Sequence, residues 1–273
     1  MVAGDKSGVH EPEKAVKPEV DLEAEKAPES GSSVKLEIAV QDIAGISVAA
    51  DHGADRAELC QALAVGGLTP TVAMVERSVA EGLPAHPLIR PRAGGYEYSA
   101  VEVSAMVRDV EVLLEGGAEG VVVGALTENT LDSAALEALV HAARGRPVVV
   151  HRCVDVLLAA GAEPAHLVEE LIDLGVSGVL TSGGAPRAVE GTASIAALSW
   201  EAAGRLEIVA GGGVRVEDVP VLVRAGADVV HLSAGTTASS GNSGPGGVAD
   251  IYATTDPDTV AAVRAAVNGL TVP

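Results

Sequence analysis

The residues able to do chemistry sit at the ends of short apolar runs. Glu37 stands in LEIAV, Glu58 and Cys60 in AELC, and Arg90 and Arg92 in LIRPR. His151, Arg152 and Asp155 stand in HRCVD, Ser182 and Gly183 in LTSGG, Gly212 and Gly213 in AGGGV, and His231 and Ser233 in HLSAG. Carboxylates and imidazoles gathered at one opening can hold and pass protons, with Glu58 or His151 as base, His231 as acid and Glu37 beside them. Arginines grip a carboxylate or phosphate through paired N–H groups, the role read for Arg90 and Arg92. Backbone N–H groups in glycine-rich turns cradle anions, which assigns Gly212, Gly213 and Ser233, extended by Ser182 and Gly183, to an anion seat with Arg152 and Asp155 alongside. A divalent-cation site from Glu37, Glu58 and His151 also has suitable ligand types.

Absences narrow the chemistry. Beyond residue 33 the sole lysine is Lys35, at the start of the first apolar run. A Schiff base needs a lysine among the reacting groups, so lysine-aldolase and pyridoxal-phosphate chemistry are excluded. No HExxH or CxxC zinc pattern is present.

These residues need elements to position them. Strands are predicted over 35–40, 56–60, 85–90, 120–124, 147–152, 178–182, 206–210 and 228–232, with amphipathic stretches between. Thr69-Pro70 and Asp256-Pro257 read as helix starts, and Ser99 with Glu102 as a capping box. Gly53, Gly117, Gly175 and Gly226 each close a helix and lead, through two residues, into every second strand. Eight strand–helix units over roughly 240 residues specify a single-domain α/β protein, a (β/α)8 TIM-type barrel, over 34–273. An open doubly wound sheet would favour a GxGxxG after the first strand, and none is there. Alternation along the strands turns Glu37, Ala39, Arg56, Glu58, Cys60, Arg90, His151, His231 and Ser233 toward the lumen or mouth.

Composition bounds the partners. Apolar residues make up 48% of the 273-residue chain, enough for a substantial core. A formal net charge of −20 repels phosphate backbones and anionic lipid, so neither nucleic acid nor a membrane is expected as a partner. With one Trp, three Tyr and no Phe, there is little for bases to stack on. Cys60 and Cys153 are far apart in sequence and read as free thiols of a soluble cytoplasmic protein. Residues 1–33, rich in Glu, Lys, Pro and Ser, read as a disordered acidic tail. The Gly/Ser/Thr-rich stretch 236–255 reads as a long loop or mobile flap beside the anion seat.

The chain resembles the CutC family, named for copper homeostasis. The resemblance is carried by LEIAV (36–40), GADRAELC (53–60), GGLTP (66–70), LIRPRAGGYEYS (88–99), GVVVGAL (120–126), VVVHRCVD (148–155), GVLTSGG (178–184), IVAGGGV (208–214) and VVHLSAG (229–235). It implies a cytoplasmic (β/α)8 barrel, often a homo-oligomer, that binds copper through two cysteines at the ends of strands one and two. The second falls on Cys60; at the first, this chain carries Ala39 where the family pattern reads LE-x-C. The polar mouth residues, from Glu37 to Ser233, match the family, and they suit a pocket for a small anionic ligand. The alternative to a copper protein is therefore an isomerase- or lyase-type enzyme, or a binder, for a small phosphorylated or carboxylated molecule.

Overall fold

The computed structural model describes Met1, residues 33–239, Gly241, Gly244 and residues 251–270. The predicted tail, apart from its end residues, lies outside them. Eight parallel strands form one sheet: β1 (Lys35–Val40), β2 (Arg56–Leu59), β3 (Ala85–Pro87), β4 (Val121–Val123), β7 (Val148–Val150), β8 (Gly178–Thr181), β9 (Glu207–Gly211) and β10 (Val229–Leu232). Between β4 and β7 lies a small hairpin, β5 (Leu126–Thr127) and β6 (Thr130–Leu131). The sheet order is β3-β2-β1-β10-β9-β8-β7-β4. Its two ends meet: Leu88 bridges Val122 in parallel, the Ile89 amide donates to the Val122 carbonyl at 2.7 Å, and the Glu119 amide to the Ala85 carbonyl at 3.0 Å. The sheet is thus a closed barrel.

The helices α1 (Ile43–Asp51), α2 (Val72–Ala80), α3 (Ala100–Glu115), α4 (Ser133–Ala142), α5 (Cys153–Ala159), α6 (Pro164–Asp173), α7 (Thr192–Ala202), α8 (Val219–Arg224) and α9 (Pro257–Asn268) surround it. The capping box at Ser99 and the Asp256 cap form as read from sequence. The α2 start differs: Thr71 is its N-cap, and the Thr69 hydroxyl instead accepts the Arg90 amide at 2.9 Å. Gly53, Gly117, Gly175 and Gly226 have φ of +80°, +102°, +77° and +89°, the left-handed turn that ends each helix.

Two apolar layers hold the barrel. The larger lies between strands and helices and takes Leu36, Ile38, Val40, Ala57 and Leu59. The smaller fills the lumen with Cys60, Leu88, Val122, Val149, Leu180, Val209 and Val229. It lies mainly along β4, β7, β8 and β9. Toward β10, β1, β2 and β3 the inward positions are ionisable, with His231, Glu37, Arg56, Glu58 and His86 all buried. The lumen is therefore apolar along one wall and charged along the other.

The described ends of the stretch after β10 pair as strands, where its composition suggests a loop. Gly235–Ser239 (β11) and Ile251–Thr255 (β12) pair antiparallel, with Gly235 opposite Thr255 and Ser239 opposite Ile251. The 236–255 flap is a hairpin in its two arms; of its tip, only Gly241 and Gly244 are described. Threonines and β-branched neighbours suit a ladder, and they outweigh the glycine and serine signal.

Candidate functional site

The charged wall is one connected chain. Lys35 Nζ bonds Glu207 Oε1 at 2.8 Å, and Glu207 Oε2 accepts from the Arg56 guanidinium at 2.7 Å. Arg56 Nε donates in turn to Glu37 Oε2, and Glu37 Oε1 meets His231 Nδ1 at 2.7 Å. Register explains the meeting, since Glu37 lies opposite both Arg56 and His231 on the neighbouring strands. Glu58 stands one step further up β2, opposite Ala39 and His86. One ligand atom from each of Glu37, Glu58 and His231 lies within 4.8 Å of the others. Glu58 makes no ion pair among the described residues, and its buried Oε2 has no hydrogen-bond partner.

Environment splits the two carboxyls. Burial alone would push Glu37 up, but the His231 hydrogen bond and the Arg56 charge hold it well below the usual range. Burial raises Glu58 to about 7, opposed by nearby His231. Burial would lower His231, yet Glu58 and Glu37 together raise it. Two carboxyls pushed apart, with an imidazole between them, are the arrangement from which acid and base roles arise.

Glu58 also sets a pH dependence. In the unfolded chain its carboxyl ionises near 4.5, whereas in the barrel it stays protonated to about 7. Its contribution to stability is thus fully present below pH 4.5 and is lost as pH rises to about 7. Glu58→Gln removes that loss. The variant should gain on the wild type between pH 4.5 and 7, with little further change from this group above. Urea unfolding of both proteins across that range tests this; parallel curves would contradict it.

Each lumen histidine lies against a glycine of the adjoining strand. A Cβ on Gly120 would stand 2.8 Å from His86 Nε2, one on Gly124 2.5 Å from His151 Nδ1, and one on Gly211 2.8 Å from His231 Cδ2. Close approach fixes these glycines, since none has a positive φ. Burial and the Arg56 charge lower His86 to about 4, so it is neutral. Burial and Arg90 lower His151 to about 3. So lowered, His151 is a weak base, poorly matched to the proton-carrying role expected of it.

The arginines at the mouth are largely committed. Arg90 is buried, and its terminal nitrogens donate to the carbonyls of Val65, Gly67 and Gly94, each at 2.8 Å. It ties down the loops after β2 and β3, so the expected bidentate anion clamp has only Nε left. Arg92 is partly exposed, pairs with Glu102 at 2.5 Å, donates to the Glu97 carbonyl at 2.7 Å and lies over Tyr98. It holds the loop to α3 and does not reach the lumen groups.

Asp155 fills the turn after β8 from within. Its carboxylate accepts from Arg152 Nε (2.7 Å), the Thr181 hydroxyl (2.6 Å), the Ser182 amide (3.0 Å) and the Gly184 amide (3.1 Å). The Gly183 amide donates to Thr181 Oγ1 at 2.8 Å, and Arg152 reaches Ser182 Oγ at 2.8 Å. The extension of the anion seat read at Ser182 and Gly183 is therefore taken up by the protein's own groups, the Ser182 amide by Asp155 and the Gly183 amide by the Thr181 hydroxyl. Gly212 and Gly213 turn at φ of +114° and +60°, with Arg152 packed against Gly212. A cleft of about 530 Å³ opens beside them, lined by Gly213, Arg215, Ser233, Gly235, Arg187 and Thr259. Arg187 is anchored there by Asp218 at 2.7 Å. His86, Glu207, Arg187 and Asp218 were not singled out from sequence; alternation along β3 and β9 was the available signal for the first two.

Copper and divalent cations can be tested against these donors. Ala39 offers no ligand atom. Cys60 is fully buried, its Sγ lies 3.7 Å from the Val40 carbonyl, and burial together with Glu58 pushes its thiol well up. Cu(I) selects thiolates, so a two-thiolate site does not fit here. The carboxylates group with His231, not with His151 as expected for a cation site. Both Glu37 oxygens are already taken by Arg56 and His231, so that trio does not present a free set of anionic ligands.

The chain is a closed (β/α)8 barrel with an ionisable lumen wall and a cleft beside Gly213 and Ser233 at its C-terminal mouth. The sequence model of the CutC family matches residues 34–236, and the chain belongs to that family. It is 38% identical over 203 residues to the family protein CutC of Pasteurella multocida, covering 73% of this chain and 82% of that one. It is 43% identical over 189 residues to the family protein CutC of Agrobacterium fabrum, covering 69% and 74%. Among solved structures it is similar to one from Streptococcus agalactiae, described as a candidate copper homeostasis protein CutC. That match has a TM-score of 0.68 and 28% identity, and covers 73% of this chain and 98% of that one. Among the described residues no helix is long and apolar enough to cross a membrane.

Proposed function

We propose that this CutC-family barrel performs acid–base chemistry, of isomerase or lyase type and without a Schiff base, on a small phosphorylated or carboxylated molecule. The observation that carries the reading is Glu58: a buried carboxyl with an unpartnered oxygen, beside an imidazole whose other face is fixed by Glu37. A proton removed from substrate passes to Glu58, and His231 carries the partner proton. Glu37 fixes the His231 ring, and its charge favours the imidazolium. The cleft at Gly213, Ser233 and Arg187 supports an anion seat for the substrate's charged end. The test is deuterium exchange from D2O into carbon-bound positions of small phosphorylated and 2-oxo acids, followed by NMR. Exchange should fall by about 100-fold or more in Glu58→Gln. Equal exchange in both proteins refutes the assignment.

The second reading is the copper homeostasis of the family name, favoured by Cys60 at the end of β2. With Ala39 in place of the other thiol, Cu(I) affinity measured against a chromophoric competitor should be weak, and the same in Cys60→Ala. Tight binding that disappears with Cys60 would instead make copper carriage the leading function.

A further inference from the structure

We infer that the mouth of the barrel seats one oxygen atom of a carbonyl- or carboxylate-bearing ligand between His151 Nε2–H and Arg90 Nε–H, beside Tyr96. The inference relies on the acid–base reading above only for what then happens to that ligand.

The geometry begins with the His151 tautomer. Nδ1 lies 3.1 Å from the Cys153 amide, which can only donate, so the ring proton is on Nε2. His151 Nε2 is shielded from solvent and has no partner among the described residues. Arg90 repeats the pattern. Its terminal nitrogens are satisfied by three carbonyls, yet its equally shielded Nε has no acceptor among the described residues. Both side chains are 95% buried, and buried donors are otherwise almost always paired. Both lie against one ring: the His151 centroid is 4.8 Å from that of Tyr96, and Arg90 Cζ is 5.4 Å from the same centroid. Gly124 makes room, since a Cβ there would collide with His151.

The chemistry of the ligand follows from the donors. Two N–H groups, one on a cation and one on a neutral ring, suit a single oxygen carrying partial or full negative charge. A phosphoryl group needs more donors than these two. His151, held neutral by burial and Arg90, acts as a fixed donor and not as a proton carrier. That is the role of an electrophile polarising a carbonyl, as in the neutral-histidine case among known barrels. His151 is then a binding residue whose proton stays in place.

The test uses the full chain labelled with 15N-histidine, and oxalate as a planar two-oxygen probe. Oxalate should move the His151 Nε2–H resonance, assigned by its loss in His151→Gln. Binding should weaken tenfold or more in His151→Gln and in Arg90→Lys. If either variant fails to fold, the wild-type titration still decides. An Nε2–H that stays put while oxalate binds, or no binding up to about 10 mM, overturns the inference. Glu58→Gln should still seat oxalate on His151. A wild type that exchanges substrate protons while oxalate leaves His151 unmoved overturns this inference alone. One that seats oxalate there yet exchanges no proton overturns only the acid–base reading.

Discussion

Glu37→Gln should be the most damaging single substitution in the lumen, costing about 3–5 kcal/mol, because it leaves Arg56 and His231 buried without their shared anion. Glu37 is 1% exposed, and its two oxygens serve two different partners, the Arg56 guanidinium and the His231 ring. The amide can still accept from one neighbour, but it cannot compensate the Arg56 charge. For a barrel of this size the loss corresponds to roughly 10 °C in melting temperature. Lys35 is the control: it lies at the solvent end of the same chain, with half its side chain exposed. Lys35→Ala should cost less than about 1 kcal/mol. Chemical unfolding of the three proteins at pH 7 makes the comparison. If Glu37→Gln and Lys35→Ala are equally mild, the wall is not a coupled network.

Asp155→Ala should cost nearly as much, about 3–5 kcal/mol, though no lumen charge is touched. The carboxylate collects Arg152, the Thr181 hydroxyl and the amides of Ser182 and Gly184 around one point. Removing it leaves these donors without an acceptor in a turn that packs tightly: a Cβ on Gly184 would meet Leu158 at 2.9 Å. Asp155→Asn keeps one acceptor oxygen and should lose about half as much. The two losses, compared by thermal unfolding, separate acceptor from charge. An Asn variant as damaged as the Ala variant would show that the charge on Arg152 dominates.

Most of the fold could be read from the sequence because it follows from local rules. Apolar runs bounded by Gly-Ala-Asp or Gly-Ala-Glu mark helix ends and strand starts, and the structure places turns of positive φ at those glycines. Alternation also put Glu37, Arg56, Glu58 and Cys60 inside. It should have found His86 and Glu207 as well, since both share the inward parity of Leu88 and Val209. What sequence could not supply is who satisfies whom. Arg90 looks like an anion clamp until the loop carbonyls of Val65, Gly67 and Gly94 fold around it. Ser182 and Gly183 look like an anion nest until Asp155, from α5, takes the Ser182 amide and the Thr181 hydroxyl takes the Gly183 amide. Both outcomes depend on loop paths, which pattern does not fix. The same holds for the histidine–glycine contacts, which cross between strands.

The ionisable wall also bears on the order in which the chain folds. Its bonds join Glu37 to His231 and Arg56 to Glu207, residues 194 and 151 positions apart. They can form only once β9 and β10 have docked beside β1 and β2. Until then Glu37 and Arg56 gain more from water than from a half-built interior, so an amino-terminal half-barrel would carry unpaid desolvation on its inner face. The network works as a clasp that closes late. Substitutions in it should therefore act mainly on the unfolding rate, leaving the folding rate nearly unchanged. Truncation before β9 should leave a chain unable to hold the first four strands as a stable unit.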